Sequence, residues 1–207
     1  WRTTRVYRAR SVGAFPIDHE GWDPEKWKPR YGNSAFRSAR MDDKFWAALR
    51  VNAFTDEMLK ALPRVGQFND PESEEMLAKF LIDRRAAIAR RYLPAVNPIV
   101  EVGLDASGLR LRNAAVDANV AAAPTEYVVQ WFGFDNVTGA TTPIATTKAP
   151  GTSASVPAPQ NLPAAQATYI RGEIAATGGP ESWTIPAHVY FVREANAWRL
   201  VGFERVP

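Results

Sequence analysis

"ARRYLPAVNPIVEVGLDASGLRLRN", residues 89–113, is where the chain changes its hydrophobic period. Up to Tyr92 apolar residues return every three or four positions: Leu77, Leu81, Ile88 and Tyr92 form a stripe, with Phe80 beside it. Pro94 and the Asn97-Pro98 pair end that pattern, because proline has no N–H to give a helix and drives the residue before it towards extended backbone. From Ile99 alternation takes over. "IVEVGL" and "LRLRN" flank the turn "DASG", which predicts a hairpin.

Upstream of this break the chain reads as helical. In "NDPESEEMLAKFLIDRRAAIARRYLP", Asp70 is placed to cap and Pro71 occupies the first helical position. Glu72, Glu74 and Glu75 sit at the positive end of the helix dipole, and Arg90 and Arg91 at the negative end. "TDEMLKAL" predicts a shorter helix capped by Thr55, with Met58, Leu59 and Leu62 inward and Pro63 as its stop. "MDDKFWAALRVNAF" predicts a third, capped by Asp42 or Asp43, with Phe45, Trp46, Leu49 and Ala53 on its apolar face. Before it, a strand is expected over 3–9. An irregular stretch to about residue 40 follows, broken by Pro16, Gly21, Pro24, Pro29 and Gly32. Its aromatics, Phe15, Trp22, Trp27, Tyr31 and Phe36, read as the pins of an extended arm.

Downstream the chain reads as strands. "EYVVQWFGF" (126–134) and "TYIRGEIAAT" (168–177) are strand patterns, and "AHVYFVREANAWRLVGFERV" is a hairpin turning at Glu194–Asn196. Trp198 and Leu200 alternate with Val201 and Phe203, so the returning strand reads as apolar on both faces and interior to a sheet. The Thr-, Ala- and Pro-rich stretch 138–167 reads as edge strands joined by open loops. The expected fold is therefore α+β. An aromatic-pinned N-terminal arm and three-helix region, 1–96, precedes an antiparallel β-sandwich, 97–207, with the strand spacing of an Ig- or fibronectin-like domain.

Charge divides at the same place. Residues 1–94 carry 18 Lys+Arg and 13 Asp+Glu, and the remainder carry 7 and 9. The chain has no cysteine, which excludes disulfides, thiolate-bound zinc and thiol nucleophiles. No apolar run approaches the roughly 18 residues of a membrane span. The chain starts at Trp1 and runs straight into structure-like sequence, which gives the expectation that it lies inside a longer parent.

Chemistry-bearing residues concentrate in "DHEGWDPEKWKP", residues 18–29. Asp18, His19, Glu20 and Asp23 are hard oxygen and imidazole donors that can surround a divalent ion, the basis of a metal-dependent hydrolase reading. The spacing matches no established metal loop, and the prolines prevent a helix from aligning the acids. Trp22 and Trp27, with Trp183 further on, are alternatively stacking platforms for a carbohydrate or contacts for a peptide. The bland reading is a structural arm whose indoles are buried and whose acids face water or arginine. Arg2, Arg5, Arg8 and Arg10 among Trp1 and Tyr7 have the composition of a nucleic-acid groove, but the acids of the same half balance them, and no nucleic-acid partner is expected. His188 reads as a sheet histidine, since no nucleophile motif accompanies it. No catalytic residue and no cofactor is expected.

"GWDPEKWKPRYGNSAF", "MDDKFWAALRVNAFTDEMLKAL" and "GQFNDPESEEMLAKFLIDRRAAIARRYL" resemble the C-terminal region of a family of large, uncharacterised exported bacterial proteins. The resemblance spans roughly residues 14–134 and departs at Ala86, where the family pattern has an acid after paired arginines. It implies an extracytoplasmic location, periplasmic, secreted or at the cell surface, and a C-terminal place in a longer chain; it implies no catalytic residue. The expected function is a non-catalytic accessory or recognition region. Its expected partner is the upstream part of the parent chain, with a glycan or protein surface as a further candidate.

Overall fold

The computed structural model describes residues 22–29 and 31–205. The expected strand at 3–9 lies outside them. The described chain is α+β and divides into two compact units. One holds the described part of 1–39 with Trp46–Arg91; the other holds Arg40–Phe45 and the described residues from Tyr92 on.

The helices are α1 (Ser34–Ser38), α2 (Met41–Asn52), α3 (Asp56–Val65) and α4 (Pro71–Tyr92). Each start is fixed by a side chain that satisfies otherwise orphaned N–H groups. Asn33 Oδ1 accepts from Ala35 N at 2.9 Å, and Thr55 Oγ1 from Met58 N at 3.3 Å. Asp70 grips Ser73 twice, accepting from its N–H at 2.7 Å and its hydroxyl at 2.9 Å. At α2 the acids work differently from the expected cap. Met41 opens the helix, Asp43 accepts from Arg40 N, and Asp42 takes the Arg40 guanidinium, which holds the Asp42 carboxyl below its usual range.

α3 corrects two expectations. Pro63 lies inside the helix, buried, and the helix runs on to Val65. Leu59 is buried, but Met58 and Leu62 point outward. The inward side is set by Leu59 and Pro63, four residues apart, and Asp56 is tied to Arg85 of α4.

The second unit carries all eight strands of the described residues in two antiparallel sheets, arranged like a sandwich. β1 (Ile99–Asp105), β2 (Gly108–Asn113) and β5 (Ser155–Val156) form a three-stranded sheet in the order β1-β2-β5. β3 (Glu126–Phe134), β4 (Thr141–Pro150), β6 (Tyr169–Thr177), β7 (Ala187–Glu194) and β8 (Ala197–Arg205) form the other, in the order β4-β3-β6-β7-β8. A single-turn helix, α5 (Ala114–Asp117), follows β2, and a 3-10 turn, Glu181–Trp183, precedes β7. One face of the large sheet is mainly apolar at its centre: Tyr127, Val129 and Trp131 on β3, Ile170 and Ile174 on β6, Val189 and Phe191 on β7. Gly172 stands between Trp131 and Val189 in register; a Cβ there would meet Val189 Cγ2 at 3.0 Å, so its absence leaves room for the Val189 methyl. With Phe45, Leu93, Ile99, Leu109, Val156 and Trp183, all fully buried, these residues make the core.

Polar groups in this core are satisfied, as burial demands. Asn97 is buried and donates to the carbonyls of Ile174 at 2.8 Å and Ile185 at 3.0 Å, while its own amide oxygen accepts from Ile99 N. Asn113 donates to Tyr127 Oη at 3.1 Å and caps α5 through its oxygen. Arg205 closes the unit. Its guanidinium lies 4.4 Å from the Phe45 ring centroid and 4.5 Å from that of Phe203, and it donates to the carbonyls of Asn97, at 2.9 Å, and Ile99.

β8 is the edge strand of the large sheet, not an interior one. The two-sided apolar pattern has a local cause. Between Tyr190↔Gly202 and Phe191↔Leu200 the register shifts and Val201 is the extra residue of a β-bulge. The bulge resets parity: Trp198, Leu200 and Phe203 oppose Arg193, Phe191 and Val189 and so share one face.

Candidate functional site

Of the expected metal ligands, Asp18, His19 and Glu20 lie outside the described residues. Asp23 is described and its carboxylate is engaged: Oδ1 accepts from Glu25 N at 2.9 Å and Oδ2 lies 3.6 Å from Lys26 Nζ. Glu25 pairs with Arg91 of α4. Asp23 and Glu25 thus shape and anchor a turn. Among the described residues no group of three or more His, Asp or Glu side chains is placed to hold a metal ion.

The three tryptophans separate. Trp183 is fully buried and its indole N–H donates to Pro94 O at 3.2 Å, so it cannot stack on a ligand; that expectation is corrected. Trp22 is half-buried, with the Arg84 guanidinium 5.3 Å from its ring centroid. Trp27 is 47% exposed and meets Phe36 edge-on at 5.6 Å, so it is no core anchor.

The largest departure from sequence expectation is an outward apolar face in the first unit. Met58, Leu62 and Val65 follow one another at helical spacing on α3 and are 55%, 52% and 81% exposed. Trp46 of α2 and Phe54 of the α2–α3 connection are also exposed, and Arg50 lies over the Trp46 ring at 5.6 Å. Isolated exposed apolar side chains are ordinary, whereas several on one helix face make that face a candidate contact surface. Helical period could not reveal this face, since α3 has apolar residues on both its inner and outer sides.

The second departure lies on the large sheet. The face opposite the core carries a transverse polar row, Gln130, Glu173, His188 and Glu204, in register across β3, β6, β7 and β8. His188 Nε2 is 3.8 Å from Glu173 Oε1 and His188 Nδ1 is 3.9 Å from Glu204 Oε2, beyond hydrogen-bond reach. Arg171 pairs with Glu173 and lies over the Phe132 ring at 5.0 Å. Sequence alternation exposed each of these residues singly; only strand order brings them together. Comparison with protein-family models, curated proteins and solved structures gives no match. No helix among the described residues is long and apolar enough to cross a membrane.

Proposed function

We propose that this chain is a non-catalytic accessory region of a larger exported bacterial protein and that it docks, through the outward face of α3, on the upstream part of its parent. The observation that carries the reading is the run Met58, Leu62, Val65, exposed on one face of a well-capped helix. Full burial of an exposed large apolar side chain contributes about 1.5–3 kcal/mol, and docking would add the part of this that the present exposure of each residue leaves. The resemblance of the arm and helices to the C-terminal region of exported bacterial proteins supports a longer parent and an extracytoplasmic compartment.

The test is the double variant Met58→Glu/Leu62→Glu, made both in this chain and in its complete parent. Both positions are solvent-facing, so the chain alone should melt within about 2 °C of the original. In the parent the charges should free the region, seen as faster cleavage by protease between it and the preceding part. A parent whose cleavage rate is unchanged by the two charges refutes the docking.

A further inference from the structure

The polar row on the large sheet has an aromatic row beside it. Phe132, Arg171, Tyr190 and Gly202 are in register one step along from Gln130, Glu173, His188 and Glu204. Gly202 shapes this second row: a Cβ there would lie 3.0 Å from the Tyr190 ring, so the glycine gives the ring its place on the sheet. Phe134 then meets Tyr190 edge-on at 5.0 Å.

Hydrogen-bonding capacity on this face is left open. Arg171, Glu173 and His188 have only 20%, 18% and 16% of their side chains exposed, and polar groups held that low are ordinarily fully hydrogen-bonded. Here they are not. Arg171 Nε is buried without an acceptor, neither His188 nitrogen reaches a carboxylate, and Gln130 stands exposed on the next strand. The charges nearly cancel, Arg171 against Glu173, leaving Glu204 at the rim. Such a surface has no attraction for phosphate or nucleic acid. It offers a plane of alternating donors and acceptors beside aromatic rings, the combination that takes hydroxyl groups on one side and a C–H face on the other.

We infer that the outer face of the β3-β6-β7-β8 strands is a binding surface for a neutral saccharide chain, with Gln130, His188 and Glu204 bonding hydroxyls and Tyr190 stacking on a sugar ring. The site is separate from α3 and stands or falls independently of the docking proposed above. It also differs from the Trp27 platform, which belongs to the other compact unit.

The experiment is calorimetric titration of the whole chain with cellohexaose, chitohexaose and mannohexaose. At least one should bind, and Gln130→Ala, Glu204→Ala and Tyr190→Ala should each weaken it ten-fold or more, while Trp27→Ala leaves it unchanged. Thermal melts of each variant separate lost binding from lost fold, and Tyr190→Phe, which keeps the ring, should retain most of the affinity. Binding to none of the three at millimolar concentration overturns the proposal and leaves the row as a solvated sheet face. Loss in Trp27→Ala with retention in Tyr190→Ala overturns it too, by placing the sugar on the arm.

Discussion

Replacing Arg205 by methionine should cost the second unit about 2–4 kcal/mol. The arginine ties the end of β8 to the start of β1 and lies against two phenyl rings. Methionine keeps much of the apolar stem but offers no donor. The carbonyls of Asn97 and Ile99 then lose their side-chain partner, and a buried acceptor left unmet costs about 1–3 kcal/mol. The lost contacts with Phe45 and Phe203 add roughly 0.5–1 kcal/mol each. Against this, the variant no longer desolvates a cation. Burial pushes the Arg205 guanidinium down to about 10, so it is still charged at neutral pH and that desolvation is a real offset. Arg205→Lys should fall between, since one ammonium cannot serve two carbonyls as a planar fork can. Urea unfolding followed by tryptophan fluorescence measures the loss, and hydrogen exchange shows whether β8 and β1 loosen together. A methionine variant within 0.5 kcal/mol of the original, with unchanged exchange in β1, would refute the clamp.

Other expectations follow from the same unit and from the helices. Asn97→Asp removes both donors to Ile174 and Ile185 and buries a charge, so it should destabilise by about 3 kcal/mol or more in the same urea assay, beyond Asn97→Ala. Trp183→Ala should cost roughly 3–5 kcal/mol, whereas Trp27→Ala should cost under about 1 kcal/mol; equal losses would contradict the burial of one and exposure of the other. Burial holds the Tyr127 phenol above its ordinary 10.0, so above that pH the unfolded chain ionises first and binds fewer protons. Its contribution therefore falls as pH rises from 10 towards the higher folded value, and Tyr127→Phe should remove that part of the alkaline loss. Asp70→Ala should cost about 1 kcal/mol by freeing the Ser73 N–H at the start of α4.

The period change at Asn97-Pro98 was legible because proline chemistry acts locally, and Asn97 fastens the chain entering β1 to the carbonyls of Ile174 and Ile185. The α4 cap, the hairpins and β3 were legible for the same reason: each is decided by residues a few positions apart. What sequence period could not carry was parity and facing. One bulge residue, Val201, turns an apparent two-sided strand into a one-sided edge. On α3 the choice between Leu59 and Met58 as the inward residue depends on partners distant in the chain, such as Arg85 holding Asp56. The polar row on the large sheet was invisible because its members come from four strands whose order, β3-β6-β7-β8, no local pattern specifies. Trp183 shows the converse: an isolated tryptophan in a proline-flanked turn looks like a platform, yet its N–H and ring are both taken by the core.

Oxidative footprinting at Met58 tests the docking most directly, because a thioether is oxidised in proportion to its exposure and leaves the backbone untouched. In the isolated chain Met58 should oxidise at the rate of an open methionine, in keeping with its 55% exposure. In the complete parent protein the reaction at Met58 should be at least ten-fold slower. An equal rate in both would contradict the claim that α3 is a docking face.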